Sequence, residues 1–203
     1  MREFIYYSKT APTAGNLVKD DLMKSGRIDI AIHTIIAAFF LSHSFRNDVK
    51  LHLIFDGAPD PPRHLELKPV IEGQVGKDKI YLSKKDISWI IKRMLYKYKE
   101  GEKKEVFPGY WIEKKSLMQL LKELHEEGKE IYLLDENGFD IRNIEISKNP
   151  VFVIGDHQGL PNLKKELKRI NITPVSIGKR TYFASQTVSI LNNEIDRRED
   201  FGN

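Results

Sequence analysis

The sequence predicts an α/β fold built on a mainly parallel sheet. Two observations carry that expectation. Strand-type and helix-type signals alternate along most of the 203 residues, the pattern of layered α/β folds rather than of bundles or sandwiches. In the C-terminal third, candidate strands Glu130–Leu134, Pro150–Ile154 and Thr173–Ile177 are separated by the long or helical connections that parallel pairing requires. A composition of 40% hydrophobic and 31% charged residues excludes a disordered or fibrous chain.

Residues Arg2–Ser8 form the first expected strand, followed by an irregular stretch with Pro12 and Gly15. A helix is expected from about Gly26 to His43; it is apolar nearly all round, so protein must cover it on several sides, the sheet on one and a partner subunit on another. The apolar run Ile28–Leu41 is interrupted by Asp29, His33 and Thr34 and falls short of the roughly 20 residues of a membrane span. Val49–Phe55 reads as a strand ending in the turn-rich Asp56-Gly57-Ala58-Pro59-Asp60-Pro61-Pro62. A strand near His64–Val70, glycine turns at Gly73 and Gly76 and a short strand at Lys79–Leu82 suggest a small antiparallel appendage near residues 63–83. Ile87, Ile90, Ile91, Met94, Leu95 and Tyr98 then form one stripe of an amphipathic helix. Leu117, Leu120, Leu121 and Leu124 mark another, stopped by Gly128. Leu163, Leu167 and Ile170 mark a helix between the last two strands, and a final helix runs from about Ser185 to Asp196.

The absence of cysteine excludes disulfides, thiolate metal sites and a cysteine nucleophile. The N-terminus carries an acid at its third residue and no long apolar core, so it does not read as a signal peptide, and the cytoplasm is the expected compartment. Net charge is +4, but it is unevenly distributed. Residues 84–104 hold eight cations against three acids, and residues 161–180 six against one. Such runs are either solvated helix faces or tracks for a polyanion.

In parallel sheets ligands bind at the C-terminal strand ends. The positions to inspect are therefore Leu134-Asp135-Glu136-Asn137-Gly138, Gly155-Asp156-His157-Gln158-Gly159 and Ile177-Gly178-Lys179-Arg180. Asp156 and His157 also suit ordinary loop or capping roles. No G-x-G-x-x-G, complete phosphate loop or G-x-S-x-G elbow occurs. The six histidines, His33, His43, His52, His64, His125 and His157, lack ligand spacing, so no metal is expected. Ser25-Gly26-Arg27-Ile28-Asp29 puts opposite charges where the first helix begins. Asp29 there is either an acid stabilised by the helix dipole or part of a partly buried site for proton transfer. Arg46, at the other end of that helix, suits a salt bridge with Asp48 or a neighbour.

One family shares these features together: Met1-Arg2-Glu3-Phe4-Ile5; Gly26-Arg27-Ile28-Asp29; Phe39-Phe40-Leu41-Ser42-His43 with Arg46 and Asp48-Val49; Gly57 with Pro59 and Pro61-Pro62; Pro108-Gly109; Glu127-Gly128-Lys129 before Tyr132-Leu133-Leu134; Asn137-Gly138; and Asn149-Pro150-Val151-Phe152-Val153-Ile154-Gly155-Asp156-His157. Over essentially its whole length the chain resembles the archaeal tRNA pseudouridine(54) N1-methyltransferases of the SPOUT superfamily. The resemblance implies a single domain over residues 1–203, a sheet with helices on both faces, and a C-terminal trefoil knot over approximately 130–196. It implies S-adenosylmethionine bound in a bent form by backbone around Leu134, Gly155 and the segment Ile177, Gly178, Lys179, Arg180, Thr181 and Tyr182. Family members often carry Leu-Ser-Pro where this chain has Ile177-Gly178-Lys179, and a cysteine near the cofactor where it has Thr187.

The resemblance also implies a reaction. N1 of pseudouridine carries a proton, so its attack on a sulfonium methyl needs that proton removed or the resulting anion stabilised. Asp29 is the expected base or orienter and Arg27 the cation near the developing charge. Arg46, Lys164, Lys165 and Lys168 are expected on the RNA, and a homodimer is expected to complete the site. A related enzyme acting on ribosomal RNA, or a noncatalytic RNA-binding knot protein, stand as alternatives.

Overall fold

The computed structural model describes residues 1–68, 74–75, 78–79, 83–161 and 170–202. Its strands are β1 (Arg2–Ser8), β2 (Val49–Phe55), β3 (Arg63–Leu67), β4 (Gln74–Val75), β5 (Asp78–Lys79), β6 (Lys104–Phe107), β7 (Tyr110–Glu113), β8 (Glu130–Asp140), β9 (Pro150–Gly155) and β10 (Ile172–Ser176). Its helices are α1 (Ile28–Phe39), α2 (Lys84–Lys97), α3 (Leu117–Glu126) and α4 (Ala184–Phe201). Eight strands form one sheet in the order β10-β8-β9-β1-β2-β3-β7-β6. From β10 to β2 the pairing is parallel, and from β2 to β6 it is antiparallel.

Strand β1 lies at the centre, between β9 and β2, and every one of its residues is buried. That explains an apolar run without a polar face. Phe4 and Tyr6 enter a core shared with α1, α2 and α4, while Ile5 and Tyr7 enter a second core with Leu117, Leu120, Leu121 and Leu124 of α3. Helices therefore cover both faces of the sheet. The helix expected around Leu163 and Leu167 lies outside the described residues, though Ile170 is buried in the second core. No helix among the described residues is long and apolar enough to cross a membrane.

The last helix runs on to Phe201 rather than ending near Asp196, and three further differences from the sequence reading shape the sheet and its ends. Helix α1 begins at Ile28 because Gly26 and Arg27 are left-handed, at φ 63° and 60°. It ends at Phe39 because Phe40 is extended and bridges to Phe45, whose ring stacks on Phe39 at 5.5 Å. Second, β3 is a member of the main sheet and only β4 and β5 form a separate ribbon; β6 and β7 extend the sheet beyond β3. These last two are four-residue strands around Gly109, too short to show clear alternation. Third, β8 continues to Asp140. Leu133 pairs opposite Pro174 and Phe139 opposite Val175, so residues 134–138 leave the ladder and return to it.

A chain of buried polar side chains crosses four adjacent strands. Glu3 Oε2 of β1 meets His52 Nε2 of β2 at 3.0 Å, His52 Nδ1 meets His64 Nε2 of β3 at 2.9 Å, and His64 Nδ1 meets Glu113 Oε1 of β7 at 3.0 Å. Both rings are about 1% exposed. Three hydrogen bonds between two ionised carboxylates require three ring protons, one more than two neutral imidazoles hold. Lys129 donates to Glu3 at 2.6 Å, and Lys115 lies 2.9 Å from Glu113. Burial alone would raise both carboxyls, but the hydrogen bonds from the histidines and lysines outweigh it and hold each at about 2. Burial pushes His64 down to about 4, although Glu113 partly opposes this. Ligand-type atoms of His52, His64 and Glu66 lie within 4.8 Å of one another. Both rings are committed to the chain, however, and Glu66 accepts from Lys103 at 2.8 Å, so their existing partners compete with a cation for those atoms.

These depressed values make stability fall on the acid side. The unfolded chain binds a proton at His64 below about pH 6.5 and at the carboxyls below about 4.5, whereas the folded chain resists until about 4 and 2. Stability present above pH 6.5 is thus lost progressively toward pH 2. Glu3→Gln should lower unfolding stability by about 3 kcal/mol at neutral pH, and the gap to the wild type should close as pH approaches 2. Urea unfolding midpoints across that range test this; a constant gap would place Glu3 outside the acid-labile set.

Candidate functional site

The C-terminal ends of β8, β9 and β10 and the start of α4 enclose a cavity of about 420 Å³, within the range of about 300–1,000 Å³ usual for small-ligand sites. Its wall includes Leu134, Gly155, Ile177, Gly178, Arg180, Thr181, Tyr182 and Thr187, all expected there from the sequence. Lys179, expected with them, is not among the lining residues. The structure adds Asp135, Glu136, Asp156, Gly159, Leu160, Val175 and Ser176. Several belong to the strand ends already singled out, but their inward direction depends on tertiary pairing.

Each rim has a local cause. Beneath the excursion of β8, a Cβ on Gly138 would lie 2.5 Å from the Val175 amide nitrogen, so only glycine lets the returning chain cross β10 so closely. On β9, a Cβ on Gly155 would lie 2.6 Å from the Gly159 carbonyl carbon. Asp156 closes that turn: its Oδ1 accepts from the Gln158 amide at 2.8 Å and its carbonyl from Gly159 at 2.9 Å. Its Oδ2 accepts from the Ser8 hydroxyl and the Lys9 amide, both at 3.0 Å. Asp156 thereby ties β9 to the end of β1, a structural loop role of the kind the sequence left open. At β10 the Ser176 hydroxyl bonds both the amide and the carbonyl of Gly178 at 3.1 Å, and Gly178 sits at φ 133°, where glycine is favoured. The Thr187 hydroxyl donates to the Phe183 carbonyl at 3.2 Å, within the first turn of α4.

The wall chemistry suits a nucleoside joined to an amino acid. Leu133, Ile154, Leu160 and Val175 offer apolar surface for a base. Exposed strand-end backbone around Leu134, Gly155 and Ile177 offers donors and acceptors to its edge. Asp135 and Glu136 offer acceptors for ribose hydroxyls or a cationic amine. S-adenosylmethionine fits that donor set.

Near the end of β1 lies a second polar group. Arg27 donates from Nε and NH2 to the two carboxylate oxygens of Asp29, both at 3.0 Å. Arg27 has φ 60° and ψ 38°, a backbone that costs a non-glycine residue on the order of 1 kcal/mol. Burial raises the Asp29 carboxyl, but the Arg27 bonds prevail and hold it below its ordinary value. Tyr6 lies within electrostatic reach of Arg27, Asp29 and Asp156. Burial, reinforced by Asp156, raises its phenol well above the ordinary value, and its hydroxyl has no hydrogen-bond partner among the described residues.

The remaining expected contacts fall elsewhere. Arg46 donates to Asp196 of α4 from NH1 at 2.9 Å and from NH2 as well, and is 10% exposed. Its partner is thus Asp196, not Asp48, which pairs with Arg2 at 2.7 Å. Lys164, Lys165 and Lys168 lie outside the described residues.

Comparison with known proteins agrees with this geometry. A family model described as "Putative SAM-dependent RNA methyltransferase" matches residues 1–200. A protein of Methanocaldococcus jannaschii named tRNA (pseudouridine(54)-N(1))-methyltransferase is 32% identical over 213 residues, with 98% of each chain covered. A protein of Pyrococcus abyssi with the same name is 34% identical over 204 residues, covering 97% of this chain and 98% of its own. Among solved structures, Archaeoglobus fulgidus Nep1 bound to S-adenosylhomocysteine superposes with a TM-score of 0.58 at 12% identity, covering 98% of this chain and 99% of that one. That likeness is one of fold: a mixed sheet with helices on both faces.

The Gly155 contact yields a prediction. Gly155→Ala should weaken S-adenosylmethionine binding at least tenfold, about 1.4 kcal/mol, because the new methyl must push the 155–159 turn. Titration calorimetry checks this, and wild-type affinity would show that the turn does not contact the cofactor.

Proposed function

The chain belongs to this family of S-adenosylmethionine-dependent RNA methyltransferases, and we propose that it transfers a methyl group to N1 of pseudouridine 54 in the T-loop of tRNA, giving N1-methylpseudouridine. One observation carries the reading: the cavity at the three strand ends has the shape and chemistry of a cofactor site in a chain matched end to end by enzymes of that name. The full-length match also supports treating residues 1–203 as one unit. The C-terminal trefoil knot over approximately 130–196 is part of this proposal and rests on the resemblance.

When bound, S-adenosylmethionine supplies an electrophilic methyl on a sulfonium. The residues of the chain do the rest. Backbone at Leu134, Gly155 and Ile177, with the segment through Tyr182 and the Thr187 turn, orients the cofactor and excludes water from one side. Arg27 stabilises negative charge developing on the base as N1 gives its proton to solvent water and takes up the methyl, the electrons of the broken S–C bond leaving with the neutral thioether. Asp29 is held ionised and paired, which makes it a weak proton acceptor and suits it to positioning Arg27. Arg46 is committed to Asp196, so RNA contacts are assigned to Lys164, Lys165 and Lys168 and to other surface cations. Alongside Arg46, a groove between α1 and α4 exposes Ile36, Phe40, Leu41 and Ile190. This is the face on which a second copy of the chain would dock, giving a homodimer.

The test is transfer from labelled S-adenosylmethionine to two tRNA transcripts, with uridine or pseudouridine at position 54, followed by mass analysis of the nucleoside. Labelling of the pseudouridine transcript alone is expected. Cofactor binding with neither transcript labelled would move the target to another RNA such as rRNA, and no cofactor binding would favour the noncatalytic reading.

Asp29→Ala should lower kcat at least tenfold, about 1.4 kcal/mol in the barrier, with cofactor affinity unchanged. The positioning role predicts that Asp29→Asn keeps the acid limb of the pH–rate profile. Loss of that limb would make Asp29 the base.

A further inference from the structure

The exposed face of α2 carries a pattern that the cofactor cavity does not use. Lys85, Trp89, Lys92 and Tyr96 recur at i, i+4, i+7 and i+11, so cation and aromatic alternate along one stripe, with Arg93 beside it. The opposite face, Ile87, Ile90, Ile91, Met94 and Leu95, is buried, so the stripe points to solvent. Trp89 is 45% and Tyr96 57% exposed, unusual for two large rings on one amphipathic helix.

Both rings are seated at fixed positions. Trp89 lies 5.7 Å from the Phe107 ring on β6. Tyr96 packs over Gly15, where a Cβ would come within 2.7 Å of its ring. Gly15 belongs to the same connection, between β1 and α1, that ends in Gly26 and Arg27, so the stripe adjoins the loop that carries the proposed catalytic cation.

Among the described residues, no acid pairs with the cations of this stripe. Lys99 and Lys103 pair with Glu102 and Glu66. Among the described residues, Lys85, Lys92 and Arg93 form no ion pair. The one acid in the helix, Asp86, accepts from the Ser83 hydroxyl at 2.6 Å. A protein partner would be met by a surface poor in lysine. Exposed rings alternating with cations that no described acid pairs instead match unstacked bases and their phosphates.

We propose that the exposed face of α2 is an RNA-binding surface, on which unpaired bases of the substrate stack on Trp89 and Tyr96 while Lys85, Lys92 and Arg93 contact the flanking phosphates. This rests on the reading that the substrate is a tRNA. The stripe is about 16 Å long from its eleven-residue span, enough for a short run of nucleotides, and its contacts are with RNA outside the methylated base.

The probe is the full-length tRNA transcript carrying pseudouridine at position 54, with the full chain. The triple variant Lys85→Gln, Lys92→Gln, Arg93→Gln should weaken RNA binding about tenfold or more and flatten the salt dependence of binding. Tyr96→Leu, which keeps apolar volume over Gly15, should weaken binding about fivefold with the salt dependence unchanged. Both should raise KM for RNA while leaving kcat at saturating RNA and S-adenosylmethionine affinity as in the wild type; intact cofactor binding shows the fold is retained. A wild type that methylates the transcript, with variants that bind it equally tightly and with equal salt dependence, overturns the α2 surface and leaves the function standing. A wild type that binds cofactor but not the transcript overturns the tRNA reading, and this inference with it.

Discussion

The buried relay Glu3–His52–His64–Glu113 is the constraint on which the rest of the molecule depends. It crosses β1, β2, β3 and β7, joining the parallel half of the sheet to the antiparallel half. A slip of one residue in any of these pairings would move a charged or imidazole group to the other face and leave its neighbours buried without a partner. With β1 locked at Glu3, its far end is locked too, and Ser8 reaches Asp156. A polar chain at one end of the central strand thus sets the position of the turn that walls the strand-end cavity at the other.

The cavity itself owes little to distinctive side chains. Its shape comes from glycines at close crossings, from the return of β8 after Gly138 and from the Asp156 turn. Backbone-defined sites tolerate changes in side chain, which is why Ile177, Gly178 and Thr187 stand in the wall without disrupting it: the Thr187 hydroxyl is satisfied within its own helix turn. Side-chain chemistry is concentrated nearby, where a strained Arg27 backbone aims its guanidinium at Asp29. The same pairing pulls the carboxyl below its ordinary value and occupies both of its oxygens.

Charge is allocated by depth. Deep cations such as Lys129 and Arg2 are consumed by carboxylates that the fold requires, whereas those on the outer face of α2 are left without ion pairs among the described residues. Local charge runs cannot separate the two classes in advance, because an ion pair in this fold often joins residues far apart in sequence. Arg46 finds Asp196 at a separation of 150 residues, and no spacing rule reaches that far.

What the sequence determined by itself was periodic or local. The all-buried β1, the α2 stripe, the Gly128 stop after α3 and the three strand ends facing the cavity follow from side-chain period and turn chemistry, which act over a few residues. The resemblance added the reaction and the cofactor wall. Only tertiary structure decided what depends on register. The scattered histidines gave no sign that His52 and His64 meet, because their contact exists only once β2 and β3 pair. The excursion of β8, the recruitment of β6 and β7 to the sheet edge and the left-handed entry to α1 depend likewise on neighbours distant in the chain. Local preference states which elements form; the burial of charge across paired strands decides how they are joined and where the site opens.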